Sequence, residues 1–244
     1  MEVNKRRDYY GIKVFKNIAS YVQPVIIDIK TGKVTPYLEV VMYRGRYSLN
    51  SRNANYSFGG LHEIFESLFR RVKIEQYRFK NILVLGMGAG SVVSILRDDY
   101  GIFNPITAVE KDEVVIELAG QYFDIHKNRN LNIVLDDAFH YVANATEKFD
   151  LVIVDLFVEG EVPKIFSSVK FLTNLQRIVN SQSCVIYNKM TEDPKHKEEL
   201  IELSMDFESV FPGSELFTFD VNNSENSILY KNTIPPDKGT KHCK

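Results

Sequence analysis

From residue 81 onward, short unbroken apolar runs alternate with stretches where apolar residues recur every three or four positions. The runs are Ile82 to Leu85, Ile106 to Val109, Asn132 to Leu135, Asp150 to Val154 and Ser183 to Tyr187. Such runs read as strands covered on both faces, as in a parallel sheet. Helices are predicted between and after them, over Ser91 to Asp98, Glu113 to Tyr122, Phe139 to Ala145, Ser168 to Val179 and Lys195 to Val210. Leu216 to Phe219 and Ser227 to Tyr230 read as a closing antiparallel hairpin. Upstream, Leu61, Ile64, Phe65, Leu68, Phe69 and Val72 occupy one face of a helix predicted over residues 61 to 75. Alternation of this kind predicts an α/β chain with a Rossmann-like doubly wound sheet and right-handed crossovers.

The first 57 residues follow a different pattern. Val25 to Ile29, Leu38 to Tyr43 and a segment holding Tyr47 to Leu49 read as strands, with a turn at Thr31-Gly32-Lys33. The expected organisation is a small N-terminal β-hairpin module (1–57), a main domain (58–231) and a frayed polar tail (232–244). The module's open edges are natural dimer or lid surfaces.

Composition narrows the function classes. The 244 residues carry a net charge of −2, with pI near 6.2. A dedicated nucleic-acid binder would show a basic field, so no nucleic-acid partner is expected. Lys5-Arg6-Arg7 and Arg70-Arg71 read as solvated surface. No apolar run approaches about 20 residues, so no membrane span is expected. The start of the chain lacks the apolar segment of a secretory signal, which makes a cytoplasmic location the expectation. Of the two cysteines, Cys184 sits in an apolar stretch and Cys243 in the polar tail, and neither belongs to a metal-type spacing. The histidines (His62, His126, His140, His196 and His242) do not pair at metal-ligand spacing, and no metal is expected.

The candidate chemistry lies where the first buried run meets Gly86, Gly88 and Gly90. Glycines let the backbone approach a ligand, and the following helix offers free N–H groups. A dinucleotide fingerprint wants a third glycine where Ser91 stands; the G-x-G-x-G spacing present is typical of S-adenosylmethionine enzymes. Three successive strands then end in acids, at Glu110, Asp137 and Asp155. Ligands of such sheets bind beyond the strands' carboxyl ends. Glu110 is placed to take both ribose hydroxyls, or else to begin a helix. Asp137, with Ala138 beside it, is placed to accept the adenine N–H; Asp136 competes for that role, and a helix cap is the alternative for either. Asp155 would face the sulfonium, where it deprotonates the nucleophile or only positions it.

Several motifs together resemble a known family. Asn55-Tyr56-Ser57-Phe58, LVLGMGAGS, AVEKD, LDDAF, FDLVIVD and the run from Pro163 to Ser167 follow in the order of the spermidine synthase (polyamine aminopropyltransferase) family. The resemblance covers roughly residues 38 to 190 and implies the class I S-adenosylmethionine-dependent methyltransferase fold and a homodimer. It retains a nucleoside pocket of the glycine turn, Glu110 and Asp137, and Asp155 matches the first of two acids that handle the polyamine; the expected cofactor site as a whole is Gly86, Gly88, Gly90, Glu110, Asp137, Ala138 and Asp155. The departures are specific. Ala89 stands where the family has an aspartate that helps hold the amino-acid end of the cofactor. Val158 and Glu159 stand where it has the second acid and the proline of D-x-x-D-P. Phe58-Gly59 replaces a tyrosine with glutamine or histidine. Glu159 and Glu161 are available to compensate for the missing acids, although loop acids are usually surface.

The resulting expectation is transfer of a methyl group from S-adenosylmethionine to a small-molecule acceptor by direct attack on the sulfonium. Asp155 or Tyr56 would orient the nucleophile. The alternatives are aminopropyl transfer from decarboxylated S-adenosylmethionine to a polyamine-like amine, and a non-catalytic nucleoside-binding scaffold.

Overall fold

The computed structural model describes residues 15–52, 55–158, 161–221 and 224–237. Lys5-Arg6-Arg7, Glu159, His242 and Cys243 lie outside the described residues. Four antiparallel strands form a first sheet in chain order: β1 (Val25–Lys30), β2 (Leu38–Tyr43), β3 (Arg46–Ser51) and β4 (Asn55–Ser57). The short β4 has no apolar alternation of its own, which is why the sequence pattern shows only three strands. Gly59, at φ 72°, then turns the chain into α1 (Gly60–Val72).

The second sheet has seven strands. They are β5 (Ile82–Leu85), β6 (Ile106–Glu110), β7 (Leu131–Leu135), β8 (Phe149–Val154), β9 (Val179–Met190), β10 (Glu215–Val221) and β11 (Ser224–Asn232). Their spatial order is β10-β11-β9-β8-β5-β6-β7. The strands from β5 to β9 pair in parallel, while β11 is antiparallel to both β9 and β10. This is the predicted doubly wound sheet with its closing hairpin. The order reverses between β5 and β8, and a crevice opens there at the strands' carboxyl ends.

Helices cover both faces. On one face lie α1, the segment α2 (Ser91–Ser94) and α3 (Glu113–Tyr122); Phe65, Leu68 and Phe69 of α1 are fully buried among them. On the other lie α4 (Ala138–Asn144), α5 (Val169–Ile178) and α6 (Pro194–Val210), with Phe171, Leu175 and Phe207 inward. Each such side chain removed from water contributes about 1.5–3 kcal/mol.

Several predicted boundaries move. The helix expected to reach residue 75 stops at Val72 because Lys73 turns left-handed, at φ 54°. The helix expected over Ser91 to Asp98 continues past Ser94 as a π-helical turn, Ile95–Asp99. Arg97 in that turn is buried and donates to the carbonyls of Ile102, Asn104 and Arg129. β9 continues past Tyr187 to Met190, carrying Asn188 and Lys189 inside the molecule. The described part of the expected tail is not frayed: Asp237 accepts from Arg78 Nε at 2.8 Å and donates its backbone N–H to Gln76 at 2.8 Å. Cys184 is fully buried, as its apolar setting predicts. Among the described residues, no helix is long and apolar enough to cross a membrane.

One carboxylate joins the two sheets. Asp112 is fully buried at the start of α3 and caps it by accepting from Val114 N at 3.1 Å. Its oxygens also accept from the backbone N–H groups of Lys33, Val34 and Thr35, in the β1–β2 loop, at 3.1, 2.8 and 3.2 Å. Burial works against the charged form, but these N–H donors outweigh it and hold the Asp112 pKa below the ordinary value. An Asp112→Asn replacement turns an N–H toward N–H groups and should destabilise the fold by about 2–3 kcal/mol, read from urea unfolding. A carboxylate with a depressed folded pKa stabilises above its unfolded pKa and loses that contribution as pH falls through the folded one. The gap between wild type and variant should therefore be full at neutral pH and close as pH falls below about 4.

Candidate functional site

The crevice beside the reversal of strand order holds a cavity of about 310 Å³. Its floor is the turn after β5. Gly86 and Gly88 line it with φ of 86° and 54°. A Cβ at Gly86 would fall 2.0 Å from the Asp155 carbonyl oxygen, so only glycine lets the ends of β5 and β8 meet. A Cβ at Gly88 would sit 3.2 Å from the Tyr56 carbonyl oxygen, against the first sheet. Gly90 is left-handed as well, but it does not line the cavity. It caps α2, and a Cβ there would meet Ile125 at 2.3 Å. Its role is packing beneath the turn.

Glu110 ends β6 on the cavity wall and is 5% exposed. One oxygen accepts from Gly88 N at 3.0 Å; the other accepts from Lys111 N and Asp112 N, both at 2.9 Å. Burial raises its pKa, opposed by these three N–H donors. The carboxylate is thus fixed in place across the glycine turn, on the cavity wall.

The neighbouring acids divide differently from the expectation. Asp137, the residue favoured for adenine contact, is the cap of α4. It accepts from Phe139 N at 2.8 Å and pairs with Lys111 Nζ at 2.7 Å. Asp136, the competitor, is on the cavity wall with Ala138, and its carboxylate accepts from Asp137 N at 2.8 Å. Two adjacent acids at a strand end give no sequence sign of which one points outward; the cap geometry decides it.

Tyr56 and Asp155 both line the cavity. Burial pushes the Tyr56 phenol well above its usual range, with the charge of Glu110 adding to the effect. It remains an O–H donor at neutral pH and is no base. Asp155 follows β8, where burial outweighs a hydrogen bond from Asn188 Nδ2 (2.9 Å) and leaves its carboxyl raised to about 7. A carboxyl that changes protonation near neutrality suits proton transfer.

The rest of that end of the cavity is largely apolar. Phe157, Val158, Phe166, Met190 and Val221 form its walls. Two polar side chains there went unnoticed in the sequence: Glu192, just beyond β9, and Asn226 on β11. No motif marks either, because each lies outside the segments that carry the family resemblance. Val34 closes the wall from the loop that Asp112 holds, a role the sequence pattern also concealed. Glu161 does not reach the cavity. It pairs with Lys195 at 3.1 Å and His196 at 3.2 Å on α6. Ala89 is fully buried, with no group to offer a ligand.

His62 stands off the cavity. Its ring stacks on Phe58 at 5.5 Å and meets Ser91 Oγ at 3.2 Å. The π-helical turn brings Asp99 close, so His62, Glu66 and Asp99 place one ligand-type atom each within 4.8 Å of one another. The spacing joins α1 to a distant turn, which no linear pattern displays.

The crystal structure of spermidine synthase from Thermotoga maritima matches 87% of this chain and 75% of its own, with TM-score 0.63 and 17% identity. Human methyltransferase-like protein 13, solved in complex with SAH, matches 75% of this chain and 86% of its own, with TM-score 0.58 and 22% identity. In sequence, a probable polyamine aminopropyl transferase of Bifidobacterium longum is 30% identical over 148 residues. An eEF1A lysine and N-terminal methyltransferase homolog of Drosophila melanogaster is 26% identical over 160 residues. These matches cover 61% and 62% of this chain, but only 32% and 23% of those two relatives. Residues 64–229 match the spermine/spermidine synthase domain model, more than half of the chain. The protein therefore belongs to the spermine/spermidine synthase domain family.

Proposed function

We propose that this protein is a transferase that moves an alkyl group, in the favoured reading a methyl group, from an S-adenosylmethionine-type sulfonium to an amine acceptor. The observation that carries the reading is the cavity. A glycine turn and a fixed carboxylate, Glu110, share one cavity with a carboxyl poised near neutrality, Asp155. When bound, the cofactor supplies an electrophilic carbon on a positively charged sulfur. Glu110 holds the sugar through hydrogen bonds, while the bare backbone at Gly86 and Gly88 leaves room for the cofactor's body. Ionised Asp155 accepts a hydrogen bond from the acceptor N–H and orients the nitrogen lone pair toward the electrophile. The cofactor would supply the alkyl carbon that the amine nitrogen takes from sulfur, with the thioether as leaving group, and Asp155 would receive the surplus amine proton. Apolar walls exclude water from this end, and protonated Tyr56 serves as a donor.

Methyl transfer is favoured because Val158 and Ala89 offer no charge where the family resemblance has acids. Aminopropyl transfer is the second reading, favoured by one observation: Glu192 sets a further carboxylate on the acceptor-side wall. Calorimetric titration with S-adenosylmethionine, its decarboxylated form and methylthioadenosine separates the two. Tighter binding of S-adenosylmethionine is the expected outcome, and preference for the decarboxylated form would reverse the order. Heat from none of the three would remove the cofactor assignment altogether.

Glu110→Gln should weaken the preferred nucleoside roughly 100-fold, because a charged acceptor bond is worth about 1.5–3 kcal/mol. With an amine that turns over, Asp155→Asn should lower kcat by roughly 10²-fold or more and leave the nucleoside Kd nearly unchanged. In the wild type, kcat should rise with pH through about 7, since the base is the ionised form. A flat profile there would remove Asp155 from the proton path.

A further inference from the structure

Three side chains from neighbouring strands stand in a row at the acceptor end. Asn226 Nδ2 donates to Asn188 Oδ1 at 3.0 Å, and Asn188 Nδ2 donates to Asp155 Oδ1 at 2.9 Å. Asn188 is fully buried and Asn226 is 2% exposed, yet Asn226 also forms part of the cavity wall. Strand pairing explains the row. β8 pairs Val154 with Tyr187, which sets Asp155 beside Asn188; β11 pairs Ile228 with Asn188, which sets Asn226 diagonally on the same face. Two buried amides linked in one direction are costly to leave unsatisfied, and each fixes the rotation of the next. A primary amide is a donor at one end and an acceptor at the other. In this row Asn226 presents its N–H end to Asn188, and Asn188 presents its own N–H end to Asp155.

We infer that Asn226 and Asn188 are positioning residues that aim a donor at Oδ1 of Asp155 and so favour its carboxylate form, with Oδ2 left for the acceptor. The inference rests on the reading above only in giving Asp155 its chemical role. It narrows the acceptor class: the reacting group must present an N–H or O–H to Oδ2, so acceptors whose reacting atom carries no hydrogen are excluded. Other ionisable groups face the same cavity, namely Tyr56 from β4, Glu110 from β6, Lys111 and Asp136 from the adjoining turns, and Glu192 after β9. Lys189, next to Asn188 along β9, pairs instead with Glu199 at 2.9 Å.

The test is a carboxyl-carbon NMR titration of full-length protein labelled with ¹³C at aspartate Cγ, with Asp155→Asn identifying the resonance. Asn226→Ala removes the first donor and should shift the Asp155 midpoint only slightly upward. Asn226→Asp should act differently. Its carboxylate cannot donate, so the Asn188 amide turns over and presents oxygen to Asp155. The Asp155 midpoint should then rise by about one unit or more, roughly a tenfold fall in the ionisation constant. Because the introduced charge raises the Asp155 midpoint through space as well, the relay is read from the Asn188 side-chain N–H resonances, which should lose their dependence on Asp155 in Asn226→Asp but would keep it if Asn226 only packed. The wild type gives a reading that needs no variant: the Asn188 side-chain N–H resonances should titrate with the Asp155 midpoint. Equal Asp155 midpoints in the wild type and a folded Asn226→Asp variant would overturn the relay. Asn188 resonances indifferent to Asp155 would overturn it as well. Because the titration uses neither cofactor nor acceptor, it stands or falls separately from the calorimetry. A linked titration with no nucleoside binding would retain the relay and reject the transferase.

Discussion

The Asp112 carboxylate is the interaction on which the two sheets depend. Its oxygens gather four backbone N–H groups, three from a loop of the first sheet and one from the helix it caps. Backbone donors buried without a partner are costly, so loop and helix are held by the same charge. Glu110, two residues earlier, does the same for the glycine turn. The strand end of β6 thereby organises both the floor and the roof of the cavity through three consecutive positions, 110 to 112.

Two parts of that cavity are built by different physics. The part around the glycine turn is made from backbone: left-handed glycines, N–H groups and the Glu110 carboxylate that accepts from them. Such a surface depends little on side-chain identity beyond Gly86, Gly88 and Glu110. The acceptor end is made from side chains on β8, β9 and β11 and from the loop after Asp155. One half-buried carboxyl there, Asp155, is tuned by its surroundings, and apolar walls make its charge state sensitive to each hydrogen bond. This division places the backbone-built floor and the side-chain-built walls within one family-matched span, residues 64–229.

Legibility in the sequence followed the same division. Buried parallel strands are continuous apolar runs, so the sheet, its order of helices and the closing hairpin were readable, and so were Gly86, Gly88, Glu110 and Asp155. What depends on cross-strand neighbours was not. Asn188 and Asn226 are 38 residues apart and meet only because β11 runs antiparallel beside β9. The choice between Asp136 and Asp137 turns on one capping bond. The role of Asp112 was hidden because an acid at a helix start already has a sufficient local explanation.

The docking of the β1–β2 loop bears on how the chain can be divided. A cut between residues 57 and 58 separates the sheets cleanly along the chain but not through the molecule. A fragment beginning at residue 58 would leave Asp112 facing water on one side, and would strip Val34 and Tyr56 from the cavity. The boundary that separates the strands is therefore not one that separates the site. For this fold the smallest unit able to enclose a ligand includes the N-terminal sheet.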